Sequence, residues 1–236
     1  MRFLDDVTVE LVKHSAADTD VLWAARVSTA GEQSLEELGK DPERSKGLIN
    51  FLMRDRHGSP FEHNSMTFFV SAPIFVFREF QRHRVGWSYN EESGRYRELQ
   101  SAFYVPGAAR KLVQEGKPGH YVFTEGTPEQ HKLVTEAMEG AYRQSYAAYQ
   151  EMLEAGVARE VARAVLPLGV FSTMYATCNA RSLMHFLSLR TQHEQARVPS
   201  FPQREIEMVA ERMEAIWAGL MPLTHAAFIA NGRVAP

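Results

Sequence analysis

Thiols are almost missing from this chain of 236 residues, which carries one cysteine, Cys178. A lone cysteine excludes an intramolecular disulfide framework and every multi-cysteine zinc or iron–sulfur site, and it fits a reducing cytoplasm. Long apolar runs are missing too. Nothing approaches the ~18–20 residues needed to span a bilayer, and the opening MRFLDDVTVE lacks the cationic and apolar stretches of a secretory signal. A cytoplasmic protein without membrane insertion is expected. There is no excess of positive charge, since 26 Lys and Arg stand against 29 Asp and Glu, a net of −3. Such a chain gains no general attraction to nucleic acid, so any phosphate binding must be local. No GxGxxG follows a strand, no P-loop occurs, and no HExxH offers zinc a ligand pair. His57 and His63 flank Glu62 at a spacing that would separate them on a helix, so no metal site is expected. With no repeat and no composition shift to mark a linker, a single domain over residues 1–236 is expected.

What is present is enough apolar sequence, 44% of residues, to bury a sizeable core. Val7, Val9 and Leu11 alternate with more polar neighbours as in a short strand, and Asp18 is placed to cap a helix to about Val27. A helix after Asp41-Pro42 carries Leu48, Ile49, Leu52 and Met53 at helical spacing, and Ser59 to Glu62 has capping-box spacing. Met66 to Ser71 reads as a strand. Pro73 then opens a helix pairing Arg78 with Arg82, and Glu79 with His83, on shared faces. From Val85 to about Gly126 the polar, Gly- and Pro-rich text, with turns at Pro106-Gly107 and Pro118-Gly119, reads as a long loop. Thr127 starts a long helix ending near Gly156, with a buried stripe of Leu133, Ala137, Ala141, Ala148 and Met152. A short helix runs from Arg159 to Leu166, a strand from Val170 to Thr177, a helix capped by Asn179 to Leu189, and an amphipathic helix from Pro202 to Leu220. Few strands, long helices and no steady βαβ alternation indicate an α+β class with a small, mostly antiparallel sheet flanked by helices.

Two polar clusters are candidates for chemistry. Residues 82–96 hold three arginines, a histidine, two serines and two glycines, types suited to cradling phosphate, although a solvated charged loop has a similar composition. The second is the helix from Asn179 to Arg190, where Arg181 and His185 share a face; a half-buried helix with charged edges is the plainer reading. Cys178, at a strand end, reads as a small apolar filler.

Together these segments resemble the flavin-dependent thymidylate synthases over nearly the whole chain. The resemblance rests on Arg82-His83-Arg84 with Ser93 after eight intervening residues, on Ala24-Ala25-Arg26-Val27-Ser28, and on His57-Gly58-Ser59-Pro60-Phe61-Glu62-His63. It rests also on Ala162-Arg163-Ala164-Val165-Leu166-Pro167 and on Asn179-Ala180-Arg181-Ser182-Leu183-Met184 leading to Leu189-Arg190. It implies conversion of dUMP to dTMP, with 5,10-methylenetetrahydrofolate as one-carbon donor and NADPH reducing through FAD. It also implies a homotetramer with shared active sites and no nucleophilic cysteine.

By residue-by-residue match, Arg190 is the expected catalytic group. The dUMP set is Glu79, Arg82, Glu91, Ser93, Gly94, Arg95, Arg163 and Arg190, with Arg163 supplied by another subunit. The FAD set is Ser28, His57, Ser59, Arg82, His83, Arg84, Glu91, Asn179, Arg181 and His185. Glu79 stands where the family often has Gln, and the segment after Arg190 is longer than usual.

Overall fold

The computed structural model describes residues 1–31, 40–118 and 120–236; the Pro118-Gly119 turn therefore falls partly outside the described residues. The class is α+β. A four-stranded sheet has the order β2 (Thr8–Ser15), β3 (Ser65–Pro73), β8 (Phe171–Cys178), β4 (Trp87–Glu91). Strands β1 (Arg2–Leu4) and β5 (Ala102–Tyr104) pair in parallel, and β6 (Val113–Lys117) with β7 (His120–Thr124) forms an antiparallel hairpin.

The chain divides into two compact units, each assembled from separate stretches of sequence. The first holds residues 1–8, 71–81 and 91–174. Its core stacks Phe103 on Tyr142 at 4.8 Å and adds Val105 and Val170, with Phe3, Ile74, Met138 and Tyr146 packed around them. The 27-residue helix α4 (Pro128–Glu154) belongs here, and Thr127 and Gln130 form its capping box. Its buried stripe differs from the expected one: Tyr142 and Tyr149 are buried, while Leu133, Ala137 and Ala141 are exposed. The helix has apolar residues on two faces, and the larger aromatic rings take the core because they remove more area from water.

The second unit holds residues 9–70, 82–90 and 175–236. Buried here are Leu22, Ile49, Phe61, Leu183, Phe186, Val209, Trp217 and Phe228. Asp41 caps helix α2 (Pro42–Arg54) by accepting the Arg44 amide, with Pro42 at the first helical position. Asp18 does not cap α1 (Asp18–Ala30). Ala17 is the cap, with Asp20 accepting its amide, while Asp18 accepts the Leu223 and Thr224 amides at the start of α8 (Pro222–Ala230). A carboxylate at another helix's positive end is a tertiary use that local spacing does not reveal.

Three other expectations are corrected. The stretch from Val85 to Gly126 is no single loop, since it holds β4, β5, β6 and β7; β5 pairs with a strand about 100 residues away, so its local text carries little strand signal. Helix α3 (Ile74–Phe80) stops before Arg82, so Arg82 and His83 leave the faces expected to hold them beside Arg78 and Glu79. Ser59 begins a 3-10 turn, Ser59–Glu62, whose cap position is Gly58, so Ser59 caps nothing. No described helix is long and apolar enough to cross a membrane.

Candidate active site

Helix α6 (Ala180–Arg190) organises the second unit's polar residues. The Asn179 side chain accepts the Ser182 amide and Asn64 Oδ1 accepts the Ala180 amide, so the first turn is closed on both counts. Arg82, His83 and Arg84 approach this helix through a turn at Gly86. There φ is +70°, and a Cβ would lie 2.0 Å from Ser182 Oγ, so only glycine fits. Ser182 Oγ donates to the Val85 carbonyl at 3.0 Å and fastens that turn to the helix.

At the other end of α6, Arg190 Nε donates to His83 Nε2 at 3.0 Å. The His83 ring stands edge-on to Phe186 at 4.9 Å, Trp87 tilts against the same Phe186 at 5.5 Å, and Trp87 stacks on Tyr89 at 5.7 Å. Tyr89 Oη donates to the His83 carbonyl at 2.8 Å. Burial, then the charges of Arg190 and His185, push His83 down to about 4, so the ring is neutral at pH 7 and carries its proton on Nδ1. Burial pushes the Tyr89 phenol up, helped by nearby Cys178.

Along the same helix, Arg181 Nη1 pairs with Glu62 at 2.6 Å, and its Nε donates to the main-chain oxygen of Pro236 at 2.6 Å. The guanidinium lies against Gly58, where a Cβ would come within 2.6 Å of Cζ. Arg56, at φ +65°, donates through Nη1 to the carbonyls of Val234 and Ala235. Partial desolvation, then the charges of Arg181 and Arg56, lower the His185 pKa. His57 stacks on Phe51 at 5.6 Å. Ser28 Oγ donates back to Ala25 within α1, which packs against the Ser59–Glu62 turn.

In the first unit the Ser93 loop is built differently. Ser93 Oγ accepts the Arg95 amide and its carbonyl accepts those of Tyr96 and Arg97, closing a tight turn. A Cβ on Gly94 would meet Arg163 Cδ at 3.2 Å, which places Arg163 beside the loop within one chain. Glu160 pairs with Arg95 at 2.9 Å. Desolvation raises the Glu91 pKa, Glu92 adds to this, and Ser172 and Arg163 oppose it. The Ser172 hydroxyl itself is buried. Glu79 is half-buried in the last turn of α3. A cavity of about 360 Å³ in this unit is lined by Arg2, Asp6, Thr8 and Ser71 among others, and none of the expected site residues lines it.

The expected residues therefore sort by unit. The dUMP set lies in the first unit apart from Arg82 and Arg190, and the FAD set in the second apart from Glu91. Sequence reading missed the Arg56 contacts with residues 234–235 and the engagement of Arg181 by Pro236; both join residues more than 50 positions apart, and no local pattern reports them. The donor set fits an anionic flavin dinucleotide. Arg82 and Arg84 are exposed and unpaired with any acid among the described residues. Among the described residues no cluster of His, Cys, Asp and Glu could hold a metal.

A family model described as thymidylate synthase complementing protein, Thy1, matches residues 10–223. A flavin-dependent thymidylate synthase of Streptomyces avermitilis is 82% identical over 99% of this chain and 95% of its own. One from Tropheryma whipplei is 59% identical over 99% and 97%. Among solved structures, a UMP/dUMP methylase PolB from Streptomyces cacaoi bound with 5-Br dUMP superposes with a TM-score of 0.94 at 57% identity, covering all of both chains.

Proposed function

The chain belongs to the flavin-dependent thymidylate synthase family, and from that membership we propose that it converts dUMP to dTMP. The one-carbon donor is 5,10-methylenetetrahydrofolate, which leaves as tetrahydrofolate, and NADPH is the reductant through FAD. The enzyme works as a cytoplasmic homotetramer with shared sites. The observation that carries this reading is the match along the whole chain, at 57% identity, to a UMP/dUMP methylase bound with 5-Br dUMP.

Arg82, His83 and Arg84 with Asn179, Arg181 and His185 are the residues that would hold FAD, which when bound would supply the reducing equivalents for the transferred carbon. What the chain's own residues do follows from their chemistry. Carbon 5 of a neutral uracil is a poor nucleophile, and a permanent cation at the base's polar edge stabilises the anionic form that reacts. Arg190 is such a cation. Its flat fork of donors matches a planar acceptor edge. Ser93, Gly94 and Arg95 offer a hydroxyl, an unobstructed amide and a guanidinium, and Arg163 of a second subunit would add another guanidinium, a donor set for phosphate. Desolvation raises the Glu91 pKa, a shift that Arg163 opposes.

A nucleophilic cysteine is not needed in this scheme. Cys178 is 3% exposed, and burial pushes its thiol pKa up, away from the thiolate that would attack carbon 6. The deciding assay supplies FAD, NADPH, methylenetetrahydrofolate and dUMP to the purified protein, follows dTMP by mass, and omits each reagent in turn. Product that requires all four is expected; NADPH consumption without dTMP would sink the proposal and leave a flavin oxidase.

A further inference from the structure

Resting on the reading of Arg190 as the group that activates the pyrimidine, we propose that His83 is a positioning residue, whose Nε2 accepts the Arg190 Nε–H and thereby sets the plane and direction of that guanidinium. The 3.0 Å contact uses the one guanidinium donor nearest the side-chain stem. A bond at Nε fixes the rotation of the whole planar group, because all five donors share one rigid plane.

The acceptor is itself held on two counts. Phe186 sits four residues before Arg190, so it shares a face of α6 with it, and it is fully buried. The His83 ring rests edge-on against that Phe186. Its backbone carbonyl receives the Tyr89 hydroxyl, and Tyr89 is in turn stacked on Trp87. A ring seated in this way presents Nε2 in one direction. The titratable groups that act on it are Arg190 and His185, and among the described residues no carboxylate acts to favour its protonated form. As a neutral imidazole it offers a lone pair; as an imidazolium it would confront Arg190 with a second cation and no acceptor. The middle residue of Arg82-His83-Arg84 therefore has a second task that its flanking arginines lack, the orientation of Arg190.

His83→Phe keeps the aromatic packing and removes the acceptor, and His83→Leu is the second variant if Phe does not fold. Misplacement of a catalytic group by about 1 Å costs roughly 100-fold, so kcat per bound flavin should fall about 10- to 100-fold while KM for dUMP changes far less. His83→Gln, whose side-chain carbonyl offers an acceptor near the Nε2 position, should recover most of the loss. In an Arg190→Lys background, which has no Nε–H to accept, His83→Phe should add at most about a 3-fold loss, the mark of two groups acting through one contact. The proposal is overturned if His83→Phe keeps wild-type kcat while Arg190→Ala is inactive. It is equally overturned if activity falls only in proportion to lost flavin, since His83 would then serve the cofactor alone and not orient Arg190. Wild-type turnover by Arg190→Ala would instead refute the role given to Arg190 itself.

Discussion

Glu214 should stabilise the fold by about 3 kcal/mol at neutral pH, and acid should remove that contribution. The carboxylate sits in α7 (Arg204–Leu220) with both oxygens engaged. Arg233 Nη1 donates to Oε1 at 2.5 Å and Nη2 to Oε2 at 2.7 Å, and His225 Nε2 lies 2.9 Å from Oε1. Burial alone would raise the Glu214 pKa; the hydrogen bonds and charges of Arg233 and His225 outweigh it and bring the value from 4.5 down to about 2. At 1.36 kcal/mol per pH unit, that depression corresponds to about 3 kcal/mol of stability. Because the folded value is the lower one, the contribution is complete above about pH 4.5 and disappears as pH falls towards 2. Glu214→Gln keeps the shape, removes the charge and leaves Arg233, 2% exposed, without its counterion. Thermal melts at fixed protein concentration should show a loss of about 6–12 °C at pH 7 for a chain of this length. The gap to wild type should narrow steadily between pH 4.5 and pH 3. A variant within about 2 °C of wild type at pH 7, or a gap that does not change with pH, would refute this account of the pair.

Gly86→Ala should lose about 2 kcal/mol or more and most of the bound flavin, because it strains a positive φ and drives a methyl into Ser182 Oγ; calorimetry and the flavin absorbance of the purified protein check both. Asn179→Ala should destabilise by about 1 kcal/mol through loss of the α6 cap, read as a lower urea midpoint with unchanged slope. Cys178→Ala should keep its turnover, and iodoacetamide should leave native wild-type activity intact; inactivation that depends on Cys178 would overturn the thiol-free mechanism. Breaking the exposed Arg95–Glu160 pair by Glu160→Ala should change stability by less than about 1 kcal/mol, so a large change in dUMP affinity in that variant would report on the site and not on folding.

Local rules placed what local rules govern. Thr127 with Gln130 and Asn179 with Ser182 each cap the helix expected to follow them, and Pro42 takes the first turn of its helix, since such signals are settled within four residues. The Arg-His-Arg cluster and the Asn179–Arg190 helix stood out as candidates from residue type, each with a plainer reading beside it, and the ordered motifs tied the chain to one family. Asp18 shows the limit. A good capping residue in sequence serves a different helix in space, because the start of α8 offers its carboxylate three donors and Asp20 already takes the Ala17 amide.

The amino-acid sequence by itself determined the class, the helices with strong start and stop signals, the absence of disulfide chemistry and the residues from which an active site could be made. Tertiary structure alone decided which of them meet. It decided that His83 accepts from Arg190, 107 residues away, that Arg163 lies against Gly94 in the same chain, and that Arg233 reaches Glu214 and Thr191. The reason is physical: a cap or a turn is energetically complete within a few residues, whereas a buried polar group must find its partner wherever the packed core brings one, and sequence distance does not enter that requirement.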